Sequence, residues 1–198
     1  MFNDIPKHKV FLSFHHQDDS CRKKFEKEFS QEFNSIFVNC SVSDGEIDPK
    51  NSTATIRREI RDNFISDSTV TIVLIGSSTW KRKHVDWEIG YSLTQTSKNS
   101  RSGLIGILLP SPNYEPHLEL KCISDAKKTE NCVTYTPCNI PPRLYDNIQS
   151  GYAKIYNYPL SSCELKKWIH EAYQRRNSGV HDNSRDYFVN NRSGSHWE

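Results

Sequence analysis

The chain has 198 residues, 35% of them hydrophobic and 25% charged, which suits one domain with a sizeable core and is short for two. With 26 Lys and Arg against 24 Asp and Glu the formal charge is +2, too balanced to argue for a nucleic acid or an anionic membrane as partner. No apolar run reaches the roughly 20 residues that span a bilayer. The N-terminus, MFNDIPKHKVFLSF, lacks the apolar region and cleavage site of a signal peptide. The six cysteines (Cys21, Cys40, Cys122, Cys132, Cys138, Cys163) include no CxxC pair, so reduced thiols and a cytoplasmic location are expected.

KVFLSF (9–14) is a short apolar run that breaks abruptly into HHQDDS, as a buried strand entering a loop does. In DDSCRKKFEKEFSQEF the residues Phe25, Phe29 and Phe33 recur every fourth position, a helical stripe, with Asp18, Asp19 and Ser20 as capping residues. SIFVNCSV (35–42) reads as a second strand and SDGEIDPKNS as a polar loop. Ile56, Ile60 and Phe64 then mark a helix opened by Asn51 or Ser52. TVTIVLIGS (69–77) is the most hydrophobic run and suits a central strand covered on both faces.

WKRKHVDWEIGYSL (80–93) puts Val85, Ile89 and Leu93 on one helical stripe. Glu88 falls at the margin of that stripe, with His84 and Ser92 one turn before and after it. GLIGILLPS (103–111) is a fourth strand stopped by Pro110 and Pro112, and 111–131 reads as a long loop. CVTYT (132–136) is a possible fifth strand, followed by an irregular connection rich in proline. In LSSCELKKWIHEAYQRR, Ser161 and Glu164 form a capping box, and Leu165, Trp168, Ile169, Ala172 and Tyr173 a broad apolar face. The expected division is one domain over 1–175, its core from about residue 7, and a poorly ordered polar tail over 176–198.

Alternating strands and helices with fully apolar strands predict an α/β fold, a mostly parallel five-stranded sheet with helices on both faces. Such sheets bind ligands beyond the carboxyl ends of their strands, which gathers the loops 14–20, 42–51 and 77–84. Phe14, His15, His16, Gln17 and Asp18 lie in the first of these; Ser77, Ser78, Thr79 and Trp80 lie in the last. With Glu88 they make an aromatic, hydroxyl-rich and acidic group that suits a nucleotide. Neither GxGxxG nor GxxxxGK[ST] is present, so a dinucleotide would be held differently and consumed rather than recycled. A glutamate at this spacing is in most proteins simply a solvated helix residue. His15, His16, His84 and Glu88 lack further ligands at firm spacing, and no metal is expected.

VFLSFHHQDD followed by TVTIVLIGSSTWKRKHVDWEI resembles the TIR-like proteins of bacterial Thoeris anti-phage systems, the ThsB family. The similarity covers about the first 110 residues, and PPRLYDNI with GYAKIYNY (141–158) resembles that family's C-terminal portion less specifically. The resemblance implies a flavodoxin-like TIR fold and an NAD nucleosidase or cyclase activity that consumes NAD as substrate and needs no cofactor. One glutamate on the helix after the third strand, here Glu88, would be catalytic. Ser13, Phe14, His15 and Asp18 would line the substrate loop, with Ser43, Asp44, Ser77, Trp80 and His84 as further binding residues. The product would be an ADP-ribose-derived messenger, cyclic in the main expectation, that diffuses to a partner effector, and TIR self-assembly is a further expected contact. The competing reading is a non-catalytic TIR adaptor that acts by protein–protein assembly. A regulator phosphorylated on aspartate fits less well, because IGSS ends the third strand.

Overall fold

The computed structural model describes residues 5–29, 37–39, 55, 62, 65–95, 100–110, 127–128 and 133–194. In chain order these form β1 (His8–Ser13), α1 (Asp19–Phe29), β2 (Phe37–Asn39), β3 (Val70–Ile75), α2 (Lys83–Ser92), β4 (Gly103–Leu108), β5 (Lys127–Lys128), β6 (Thr134–Tyr135), α3 (Pro142–Gln149), β7 (Ala153–Tyr156) and α4 (Ser162–Ser178). The main sheet runs β2-β1-β3-β4-β7 with every neighbour parallel. Strands β1, β3, β4 and β7 make its body, and β2 adds three residues at one edge. This is the flavodoxin-like order, in which chain direction across the sheet reverses between β1 and β3.

The two-residue period of the strands sorts the core into two layers. Ile72 and Leu74 of β3 pack with Val10, Leu12, Ile105 and Ile107 against Phe25 and Phe29 of α1 and Leu165, Ile169 and Ala172 of α4. Val73 and Ile75 point the other way, towards Val85, Ile89 and Leu93 of α2 and Leu144 of α3. All six residues of β3 are buried, as a strand covered on both faces requires. The stripe Val85, Ile89, Leu93 is the buried one. The start of α4 has its expected cap, with the Glu164 N–H donating to Ser161 Oγ at 3.2 Å.

Three expectations are corrected. Residues 134–135 do not join the main sheet but pair antiparallel with β5. The place beside β4 belongs to β7, whose four residues include an exposed Lys154 and give too short an apolar run to stand out. The proline-rich connection holds a helix, α3, with Pro142 in its first turn, where a missing N–H costs nothing. Over 176–194 the polar tail is ordered: α4 runs to Ser178, and residues 182–192 lie as an irregular strap across α2 and α3. The helix expected over about 51–64 and the loop 42–51 lie almost wholly outside the described residues.

The strap is anchored on a buried ion pair. Arg143 of α3 and Asp86 of α2 are 0% and 2% exposed, with Nε to Oδ1 at 3.0 Å. The remaining hydrogen bonds come largely from the strap. Arg143 donates to Asn183 Oδ1 at 2.7 Å and to the Asp186 carbonyl at 3.2 Å, and the Phe188 N–H donates to Asp86 Oδ2 at 2.9 Å. Asp86→Ala leaves the guanidinium buried without its counter-charge and is expected to cost about 3–5 kcal/mol of stability. Asp86→Leu combined with Arg143→Met should recover most of that loss, and urea unfolding of the three chains measures both.

Candidate active site

The switch point between β1 and β3 brings the expected residues to one edge of the sheet. Leu12 faces α1 and α4, so Ser13, the last residue of β1, faces α2. Its hydroxyl, wholly buried, donates to Glu88 Oε2 at 2.6 Å. Glu88 sits in the second turn of α2, where Val85 and Ile89 turn their side of the helix to the sheet. Burial pushes its carboxyl up to about 8, against the Ser13 hydrogen bond, which works to lower it. An uncharged carboxyl is therefore a populated form near neutral pH.

Phe14 is half-buried, with the Arg22 guanidinium 5.2 Å from its ring centroid. Arg22 is itself held by Asp19 at 2.6 Å and Glu26 at 2.8 Å. His15 is 2% exposed; its Nδ1 accepts from the Gln17 N–H at 3.1 Å, which leaves the proton on Nε2. That nitrogen is buried and has no hydrogen-bond partner among the described residues. Burial first, then the charges of Arg82 and His16, lower the His15 pKa to about 4, so the ring is neutral at physiological pH. Its neighbour His16 lies with its ring centroid 4.3 Å away.

Asp18 reaches across the switch point to the end of β3. The Thr79 hydroxyl lies 3.4 Å from its Oδ2 and also accepts from the Gly76 N–H at 2.9 Å. A Cβ on Gly76 would stand 2.3 Å from that carboxylate, so only glycine lets Asp18 come so close. Burial raises the Asp18 pKa, opposed by Thr79 and His16. Trp80, 2% exposed, closes the turn from inside, with Lys81 Nζ 5.1 Å from its ring centroid, and offers no open face for stacking. Ser77 is exposed in the turn after β3, and His84 is exposed on α2 with its ring edge-on to Trp87 at 4.8 Å. Ser43 and Asp44 lie outside the described residues.

Thus Ser13, His15, Asp18 and Glu88 come together at one edge, with Phe14 on the α1 side and Ser77 and His84 towards solvent. Two residues that matter escaped notice in the sequence, Asp86 and Arg143. Asp86 stands three residues before Ile89 and seven before Leu93, on the core-facing side of the helix, and an acid there needs a buried cation. Among the described residues no three His, Cys, Asp or Glu side chains gather to hold a metal ion. A groove of about 440 Å³ lined by Lys154, Tyr156, Lys167 and Trp168 opens on the opposite layer, away from Glu88. No described helix is long and apolar enough to cross a membrane.

Residues 11–114 match the family model described as Thoeris protein ThsB, TIR-like domain. No individual curated protein matches the chain.

The Glu88 carboxyl predicts an unusual pH dependence of stability. Its folded pKa of about 8 lies above the ordinary 4.5, so between those values the folded chain holds a proton that the unfolded chain has released. The stabilising contribution is complete below about pH 4.5 and is lost as pH rises through about 8. Glu88→Gln should therefore match the unmodified chain near pH 4.5 and exceed it near pH 8.5. Because Glu88 keeps an edge at the surface, the expected gain is discounted to about 1–2 kcal/mol, read from urea midpoints at the two pH values.

Proposed function

The chain belongs to the ThsB TIR-like family, and from that premise we propose that it is a defence-related enzyme that cleaves the bond between nicotinamide and ribose in NAD. Its product would be an ADP-ribose-derived messenger, cyclic in the form we favour, that activates a partner effector. The observation that carries this reading is the Ser13–Glu88 contact at the switch point, where a desolvated carboxyl meets the end of β1 just before the loop that carries His15 and Asp18.

The chemistry asks for little beyond one carboxylate. Nicotinamide leaves as a neutral pyridine, so the leaving group needs no general acid. The ribose passes through an oxocarbenium-like state, and an ionised Glu88 would stabilise that charge or bind the ribose hydroxyls. A site of low local polarity strengthens this attraction. The uncharged His15 could donate from Nε2 without adding a cation that would oppose the developing positive charge. Phe14, which keeps some surface on the α1 side of the loop, would wall off the pyridine, and exclusion of water favours ring closure over hydrolysis.

Incubation of NAD with extracts of phage-challenged cells, followed by chromatography and mass spectrometry, tests the proposal. Nicotinamide release with the natural chain and none with Glu88→Gln, at equal expression, is the expected result. Equal NAD loss with both, or protection of the cells with no loss in either, would replace the enzyme with a TIR adaptor. If the ionised carboxyl acts, kcat/KM should climb about tenfold per pH unit and level off above about pH 8. Ser13→Ala removes the hydrogen bond that lowers the Glu88 pKa, so this limb should move to higher pH in that variant.

A further inference from the structure

The helix that carries Glu88 has an electrostatically poor start. Lys81, Arg82 and Lys83 crowd its N-terminus, where the helix dipole favours anions. Arg82, in the capping position, makes no side-chain cap bond. A helix of ten residues with such an end holds together weakly by itself.

The missing cap comes from the far end of the chain, beyond the residues that match the family model. Asn191 Oδ1 accepts from the Lys83 N–H at 3.0 Å, and the Arg192 N–H donates to the Lys81 carbonyl at 2.8 Å. Further along α2 the indole N–H of Trp87 donates to the Phe188 carbonyl at 2.8 Å, and Asn183 Nδ2 donates to the Gly90 carbonyl at 3.1 Å. Tyr187 lies against Gly90, where a Cβ would stand 2.3 Å from its ring, and its own ring centroid is 5.5 Å from that of Tyr91. Each turn of α2 is thus gripped on the side away from the sheet, and none of these bonds uses Glu88.

We propose that residues 182–192 are a positioning strap, with Asn191 and Phe188 as positioning residues, that holds α2 and the turn before it where Glu88 meets Ser13. The functional side of the proposal rests on Glu88 as the reacting carboxylate; the strap itself does not. Asn191 is exposed and Asn191→Ala removes only the cap, so the full chain remains folded. Asn191→Asp keeps an acceptor and adds a charge that suits the helix end. Val189→Ser alters an exposed strap residue and serves as control.

Amide exchange of α2 and the ¹³C titration of the Glu88 carboxyl are measured on resting protein, and kcat and KM on NAD. In Asn191→Ala the first-turn amides of α2 should exchange about fivefold faster. The Glu88 titration should move towards the ordinary carboxylate range, and kcat should fall several-fold with KM little changed. Asn191→Asp should restore all three, and Val189→Ser should change none. Unchanged exchange and an unchanged Glu88 titration in Asn191→Ala would overturn the strap. No NAD turnover in any chain would count against the catalytic reading alone, since exchange and titration still decide the strap.

Discussion

Among the described ion pairs, Asp86 and Arg143 are the two charges taken most completely out of water. A buried ion pair contributes little unless its remaining hydrogen bonds are met. Here Asp86 needs the Phe188 N–H, and Arg143 needs Asn183 and the Asp186 carbonyl. The pair therefore does more than join α2 to α3. It gives an otherwise polar C-terminal stretch a structural role, because among the described residues that stretch meets the pair's remaining hydrogen bonds. Tyr187, with the Arg143 guanidinium 4.5 Å from its ring centroid, seals the arrangement from solvent.

The same helix that buries Asp86 offers Glu88 to the sheet, and the two acids end in opposite situations. Asp86 keeps its charge company with a guanidinium at 3.0 Å. Glu88 has one hydroxyl, and desolvation dominates its titration. Two positions apart on a helix, they point about 200° from one another, one into the α3 side and one towards the end of β1. A carboxyl left short of partners at a switch point is where a physical argument for chemistry begins. In the loop that follows β1, burial likewise lowers the His15 pKa and raises that of Asp18.

How much of this was legible in the chain differs by element. β1, β3, β4, α1, α2 and α4 were readable, because each buries a strong periodic pattern of its own, such as the all-apolar TVTIVLIGS or the stripe Val85, Ile89, Leu93. α3 was hidden by Pro141 and Pro142, which punctuate a loop as readily as they open a helix. β7 was hidden by its brevity, and 132–136 looked like a strand for the main sheet because propensity does not say which partner a strand will find. The strap was misjudged for a different reason: polar composition predicts disorder only when no buried charge elsewhere needs those polar groups.

By itself the sequence determined the layered α/β plan and the edge at which a site would form, and the resemblance of its motifs to the ThsB family singled out Glu88. The plan and the edge follow from local periodicity and from the alternation of strands and helices, which short stretches carry within themselves. Tertiary structure alone decided that Ser13 is a partner of Glu88, that His15 is neutral with an Nε2 that no described residue meets, that Trp80 is enclosed, and that Asn191 caps a helix 108 residues earlier. Such facts depend on burial and on contacts between distant segments, and desolvation is a property of the packed surroundings rather than of any residue in the chain.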